Sequence, residues 1–298
     1  MVKILLLGMG GQVGHEIHQL IGPTAEVFAV GRETINLEKP STIGAQVEAI
    51  APDLIVNAAA YTAVDKSETE IALAEAINGV APGHLAAAAS ASGAAILHIS
   101  TDYVFDGGQS RPYRESDEPS PMGVYGHSKL AGERAVQAHC DRHIILRTAW
   151  VYGTYGQGNF VKTMLRVGRQ REEVRVVYDQ IGTPTWARDI ATVIAEFANR
   201  LETVSWGIYH FTDSGVTSWY DFAIAIFEEA EQLGYPLALK RVVPITTPEY
   251  PTPASRPAFS VLATEKITDF MGCRPPHWRQ SLRQMLADYR PLALAKGA

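Results

Sequence analysis

Between Thr101 and Lys129 the chain carries three side chains whose types and spacing suit proton transfer to a carbonyl oxygen. Tyr125 stands four residues before Lys129, and on a helix that spacing sets phenol and ammonium on one face, one turn apart. A tyrosine that exchanges a proton near neutral pH needs its pKa of about 10 lowered, and a fixed neighbouring cation does this by favouring the phenolate. Thr101 follows the apolar run Ala94 to Ile99, so its hydroxyl arrives from a strand end, where it can hold the oxygen of a reacting carbonyl. These residues predict a carbonyl reductase site, with hydride supplied by a cofactor bound elsewhere on the chain.

The elements that must hold that cofactor begin at the N-terminus. Lys3 to Leu7 reads as a strand buried on both faces and runs straight into Gly8-Met9-Gly10-Gly11-Gln12-Val13-Gly14, then a helix over His15 to Ile21. Glycines at 8, 11 and 14 form a variant of the dinucleotide fingerprint, which allows a tight turn and close approach of backbone to pyrophosphate at a helix N-terminus. A second strand, Glu26 to Val30, ends in Gly31-Arg32-Glu33. Arg32 can pair bidentately with a 2′-phosphate, which favours NADPH; Glu33 keeps NADH open, and a solvated turn is the plainer use of such an arginine. Asn36 and Leu37 follow, where an adenine would pass. A third strand, Asp53 to Val56, ends in Asn57-Ala58-Ala59-Ala60-Tyr61-Thr62. Small residues at a strand's carboxyl end suit contact with a flat cofactor, and equally suit tight packing.

Further along, Pro40 to Ile50 and Glu68 to Ser92 read as helical, the latter as two helices broken near Gly79 and Pro82. Ala94 to Ile99 and His143 to Thr148 read as strands, with the helix of Tyr125, Lys129 and Glu133 between them. This alternation predicts an α/β fold: a doubly wound parallel sheet of Rossmann type over residues 1–152. Residues 153–298 are expected to form mainly a smaller substrate-binding lobe over the sheet's carboxyl edge, with Phe160 to Gln170, Arg188 to Leu201, Trp219 to Gln232 and His277 to Arg290 helical. Some of this later chain, Trp206 to Phe211 in particular, is expected to return to the large sheet.

The 298 residues suffice for a large core, and 46% of them are hydrophobic, which argues against wholesale disorder. A net charge of −6 without a basic tract argues against nucleic acid as a partner. Cys140 and Cys273 have no metal-ligand spacing, and no metal site is expected; so few cysteines suit a reducing compartment. The apolar start MVKILLLGMGG is short and ends in glycines rather than at a cleavage site, and no run is long enough to span a bilayer. No membrane partner is expected, and the expected location is the cytoplasm.

Taken together, GMGGQVG, NAAAYTAVDKSE, STDYVFDG, VYGHSKLAGE, RTAWVYG and YPTPASRP resemble the extended short-chain dehydrogenase/reductases and, within them, the dTDP-4-dehydrorhamnose reductases. The resemblance runs from residue 8 to residue 257. It implies reduction of the 4-keto group of a dTDP-sugar, the final step of dTDP-L-rhamnose synthesis. Tyr125 would then be the general acid at the C4 oxygen, Lys129 would hold the nicotinamide ribose, and Thr101 would bond the same sugar oxygen. Gly8, Gly10, Gly11, Gln12 and Val13 would follow the pyrophosphate, and Ala58, Ala59, Ala60, Tyr61 and Thr62 would line the cofactor's path. Trp150, just past a strand's carboxyl end, can pack an aromatic face on the sugar and equally suits a core; by the resemblance, Asn159 and Arg256 would contact nucleotide and diphosphate. Some relatives form a homodimer through a magnesium-linked acidic cluster; Glu16 fits one position, but Arg188-Asp189 brings a cation where a second acid belongs, so neither that metal nor that dimer is carried over. Two other readings compete: another nucleotide-sugar ketoreductase or epimerase of the superfamily, and a non-catalytic NADP-binding subunit like the regulatory subunit of methionine adenosyltransferase.

Overall fold

The structure, a computed structural model, describes residues 1–295. Six strands form the central sheet: β1 (Lys3–Leu7), β2 (Glu26–Val30), β3 (Leu54–Asn57), β4 (Ala95–Thr101), β5 (His143–Thr148) and β6 (Gly207–His210). Their order is β6-β5-β4-β3-β1-β2, and every pairing is parallel. Alternate residues explain the continuous apolar runs. Ile4 and Leu6 enter the core on one face, Leu5 and Leu7 the core on the other.

The helices Gln12–Ile21 and Ala187–Asn199 cover the first face, through Ile17, Ile21, Ile190, Ile194 and Phe197. Helices Ile43–Ile50, Ala81–Ser92 and Val124–His139 cover the second, through Val47, Leu85, Ala89 and Val136. The chain leaves β1 for β2 on one side and then crosses back to β3 on the other. A cleft therefore opens between β1 and β3, at the carboxyl ends of the strands.

Residues beyond 152 do two jobs. Ala187–Asn199 and β6 belong to the large sheet and its layers. Phe160–Gln170, Trp219–Gln232 and the closing helix Trp278–Ala295 enclose a separate core around Val161, Phe222, Ile226, Trp278 and Leu282. A small parallel pair, Glu173–Val177 with Arg241–Ile245, completes that lobe.

The expected break near Gly79 and Pro82 is absent. Helical backbone runs on from Ile71 through a π-helical segment, Glu75–Val80, into Ala81–Ser92. Pro82 lies in the first turn of that last helix, where its missing N–H costs least. The segment packs tightly on Val124–His139: a Cβ on Gly132 would lie 2.0 Å from the Asn78 carbonyl oxygen.

Candidate active site

The turn after β1 sets the backbone of the cleft. Gly8 has φ +89°, and a Cβ there would lie 2.6 Å from the Ala58 carbonyl carbon at the end of β3. Only glycine meets both demands. The Gly11 N–H donates to the Gly8 carbonyl at 2.9 Å, and no side chain caps the helix Gln12–Ile21 that follows. Its first-turn N–H groups are thus left for an anion, the cradle that a dinucleotide pyrophosphate needs.

A cleft of about 960 Å³ runs from this turn along the strand ends. Gly8, Gly10, Gly11, Gln12, Val13, Arg32, Asn36, Leu37, Ala58, Ala59, Ala60 and Thr62 line it, and so do Thr101, Tyr125, Lys129 and Trp150. The Arg32 side chain is 84% exposed and lies 4.0 Å from the Glu38 carboxylate. Its guanidinium is therefore largely open to solvent beside the cleft it lines. The size, the glycine turn and the uncapped helix all fit NADPH.

Three expected residues are not on the wall. The Tyr61 hydroxyl turns away to the Glu70 carboxylate, and only its backbone stays near the cleft. Asn159 instead caps Phe160–Gln170, accepting from the Lys162 N–H at 2.9 Å, and donates to the Gln12 side-chain oxygen at 2.7 Å. It touches the turn of residues 8–13 through Gln12. Arg256 is held by Asp65 at 2.9 and 3.1 Å and bonds Thr252 as well. This ties the proline-studded loop to the Val64–Ser67 helix.

Thr101 closes β4. Its hydroxyl accepts from the Tyr103 N–H at 3.1 Å and donates to the Asp102 carboxylate at 3.0 Å. Rotation of that hydroxyl can redirect its hydrogen toward the cleft that Thr101 lines. Tyr125 and Lys129 sit one turn apart on Val124–His139, and the Tyr125 ring meets that of Tyr103 edge-on at 5.5 Å.

The phenol does not follow the sequence-based expectation of a lowered pKa. Burial, with help from the Asp102 charge, pushes Tyr125 up to about 12, and a Thr101 hydrogen bond offsets only part of this. The physical reason is desolvation without an offsetting cation: Lys129, itself 2% exposed, has its ammonium engaged by the Ile99 carbonyl at 2.6 Å. Burial pushes Lys129 down to about 8, against a smaller opposing effect of Glu133. A phenol that stays protonated at neutral pH is the form that a general acid requires.

Two supporting residues, Asp102 and Asn78, escaped the sequence reading. Asp102 is buried, and burial raises its carboxyl to about 6; an acid beside a strand-end threonine was the visible signal. Asn78, buried in the π-helical segment, accepts from the Tyr61 N–H at 2.8 Å and donates to the Tyr61 carbonyl and the Ser128 hydroxyl. It pins the loop after β3 to the Tyr125 helix, and nothing in its alanine-rich surroundings marks it. Trp150 has φ +47°, and one face of its indole is stacked on Trp219 at 3.5 Å. Glu16 is buried against Arg188 at 3.1 Å, and Arg188 also reaches Asp288, so the guanidinium bridges the two acids.

A family model described as the RmlD substrate binding domain matches residues 2–291. The dTDP-4-dehydrorhamnose reductase of Escherichia coli strain K12 is 42% identical over 293 residues, covering 96% of this chain and 97% of that protein. Among solved structures, a dTDP-4-dehydrorhamnose reductase from Clostridium acetobutylicum superposes with a TM-score of 0.90 at 38% identity, covering 97% of this chain and 99% of the other. The Bacillus anthracis dTDP-4-dehydrorhamnose reductase solved in complex with NADP gives 0.89 at 34% identity, covering 97% of this chain and all of the other.

Proposed function

We propose, since this chain belongs to the dTDP-4-dehydrorhamnose reductase family, that it reduces the 4-keto group of dTDP-4-dehydro-L-rhamnose with NADPH, forming dTDP-L-rhamnose in the final step of that sugar nucleotide's synthesis. The observation that carries this reading is the meeting of Thr101, Tyr125 and Lys129 on the wall of the cleft that also holds the glycine turn and Arg32.

When bound, NADPH supplies the hydride that reaches C4. The chain's own residues do the rest. The turn from Gly8 to Val13 holds the pyrophosphate, and Arg32 pairs with the 2′-phosphate. Lys129 holds the nicotinamide ribose. Thr101 and Tyr125 bond the C4 oxygen, where negative charge develops, and Tyr125 neutralises it by giving up the phenolic proton. The exposed remainder of Trp150 packs on the sugar. Arg256 exchanges Asp65 for the diphosphate, a fork-on-oxyanion contact of the same geometry. The smaller lobe around Phe222 and Trp278 covers the sugar. We place the reaction in the cytoplasm, which suits the free cysteines Cys140 and Cys273.

The purified chain should oxidise NADPH only when the keto sugar is present; a rate independent of the sugar, or none, would refute the reading. Arg32→Ala should raise the KM for NADPH roughly tenfold, the size of one lost charge-assisted contact, and change that for NADH little. Equal changes would show that Arg32 does not read the 2′-phosphate. Arg256→Ala should weaken dTDP binding by roughly tenfold in calorimetry without affecting NADPH. An unaltered dTDP affinity would remove Arg256 from the substrate site.

A further inference from the structure

Behind Lys129 lies a line of buried polar groups that the reaction as described does not use. His98, on β4 and wholly buried, places Nε2 3.3 Å from the Lys129 Nζ. Its Nδ1 lies 3.0 Å from the Asn57 side-chain nitrogen. Asn57, also wholly buried, ends β3, and its Oδ1 accepts the Ala59 N–H at 3.2 Å.

The hydrogens can be counted along this line. A backbone N–H only donates, so the Ala59 N–H fixes the Asn57 oxygen toward itself. The Asn57 NH₂ then faces His98, and Nδ1 must accept. A neutral imidazole with an accepting Nδ1 carries its hydrogen on Nε2. That hydrogen points at Lys129. An ammonium has no lone pair to receive it, whereas a neutral amine has one. A charged imidazole gives no escape, since burial and the Lys129 charge hold His98 well below the usual histidine range.

We propose that His98, oriented by Asn57, is a positioning residue that stabilises the neutral amine of Lys129, so that Lys129 can return a proton to the Tyr125 phenolate after each reduction. The proposal rests on the reductase reading. Its proton balance closes. The phenolic O–H breaks as the O–H at C4 forms, leaving phenolate. A Lys129 N–H then breaks and restores the phenol, and the resulting amine accepts the His98 Nε2–H. Water in the open cleft reprotonates the amine before the next turnover. No redox change occurs in these steps.

The charges around the lysine are few. Tyr125 and Glu133 stand one turn before and one turn after Lys129 on its own helix, and His98 faces it from β4. Glu133 favours the ammonium, and Arg147 of β5 is paired with that carboxylate on its far side. Lys129 thus sits between a group that favours its charge and a group that favours losing it. Its proton affinity, set near pH 8 by burial, is low enough for both states to be reached.

The test compares the full chain with His98→Phe and His98→Gln, using NADPH and the keto sugar across a pH series. Only protonated Lys129 can supply the proton, so kcat falls as pH rises past its pKa. His98→Phe keeps the ring and removes the Nε2–H, so the alkaline limb should move up by roughly half a pH unit or more. The kcat at neutral pH should fall about threefold or more, with the KM for the sugar near wild type. His98→Gln can present an amide N–H in the same place and should bring the limb back toward wild type. A limb that stays put in His98→Phe, or moves down, would overturn the proposal, because a purely structural role leaves it unmoved.

Long-range ¹H–¹⁵N spectra of the wild-type chain give an independent reading that needs neither turnover nor a stable variant. They should show His98 neutral with its hydrogen on Nε2; a hydrogen on Nδ1 or a charged ring would overturn the proposal. If the wild type fails to oxidise NADPH with the keto sugar, the reductase reading fails, while the state of His98 is still decided by the spectrum.

Discussion

Tyr125→Phe should lower kcat by about 10²- to 10⁴-fold, the usual worth of a positioned general acid, while NADPH binds nearly as tightly as to wild type. The substitution removes one oxygen and keeps the ring, so the edge-on contact with Tyr103 and the packing of the helix remain. Thr101 is the hydroxyl's hydrogen-bond partner from the chain, so its loss leaves little unsatisfied. The loss should therefore appear in kcat and kcat/KM alike, the pattern of an interaction made only in the transition state. Thermal unfolding with and without NADPH and a steady-state assay check this. Turnover near the wild-type value would take the acid's role away from Tyr125. The pH dependence has a definite sign. Because burial holds the phenol at about 12, Tyr125 itself should impose no loss of activity between pH 6 and 9; any alkaline limb in that range belongs to Lys129.

Glu133→Ala should be the most destabilising single change near the site, by about 3–5 kcal/mol, because it leaves a buried guanidinium without a counter-charge. Arg147 and Glu133 are each 1% exposed and share contacts of 2.6, 2.9 and 3.2 Å. His210, 3.5 Å from Arg147, cannot replace the carboxylate: burial and Arg147 itself hold it down to about 3, so it stays neutral. The pair locks Val124–His139 to β5, one turn beyond Lys129. Its loss should also lower the proton affinity of Lys129, since Glu133 favours the ammonium. Urea unfolding of the two proteins measures the stability. A double change, Glu133→Leu with Arg147→Met, should recover much of it, because the desolvation of both charges is removed together. A single change costing under about 1 kcal/mol would show that water reaches Arg147.

How far the sequence went depended on whether a signal was local. The buried strands announced themselves as apolar runs, and Gly8 to Gly14 announced the cofactor turn, because backbone approach imposes its glycines locally. The four-residue step from Tyr125 to Lys129 placed both on one helix face. What could not be read was long-range. Asn78 acts on Tyr61 and Ser128, residues 17 and 50 positions away. Arg256 is bound to Asp65, 191 positions back, so a motif-based expectation could not foresee that its fork is already occupied. The continuous helix through Gly79 reflects packing on Gly132, which overrode the local breaker. Spacing reports a neighbouring charge but not the depth of burial, which is why the Tyr125 phenol stands above its ordinary pKa and not below it.

The most direct measurement follows the hydride. The chain is supplied with NADPH deuterated at the transferring position and with dTDP-4-dehydro-L-rhamnose, and the sugar product is examined by NMR. This account predicts dTDP-L-rhamnose with deuterium at C4, formed in step with cofactor oxidation. Protium at C4, or a product with the opposite configuration there, would contradict it.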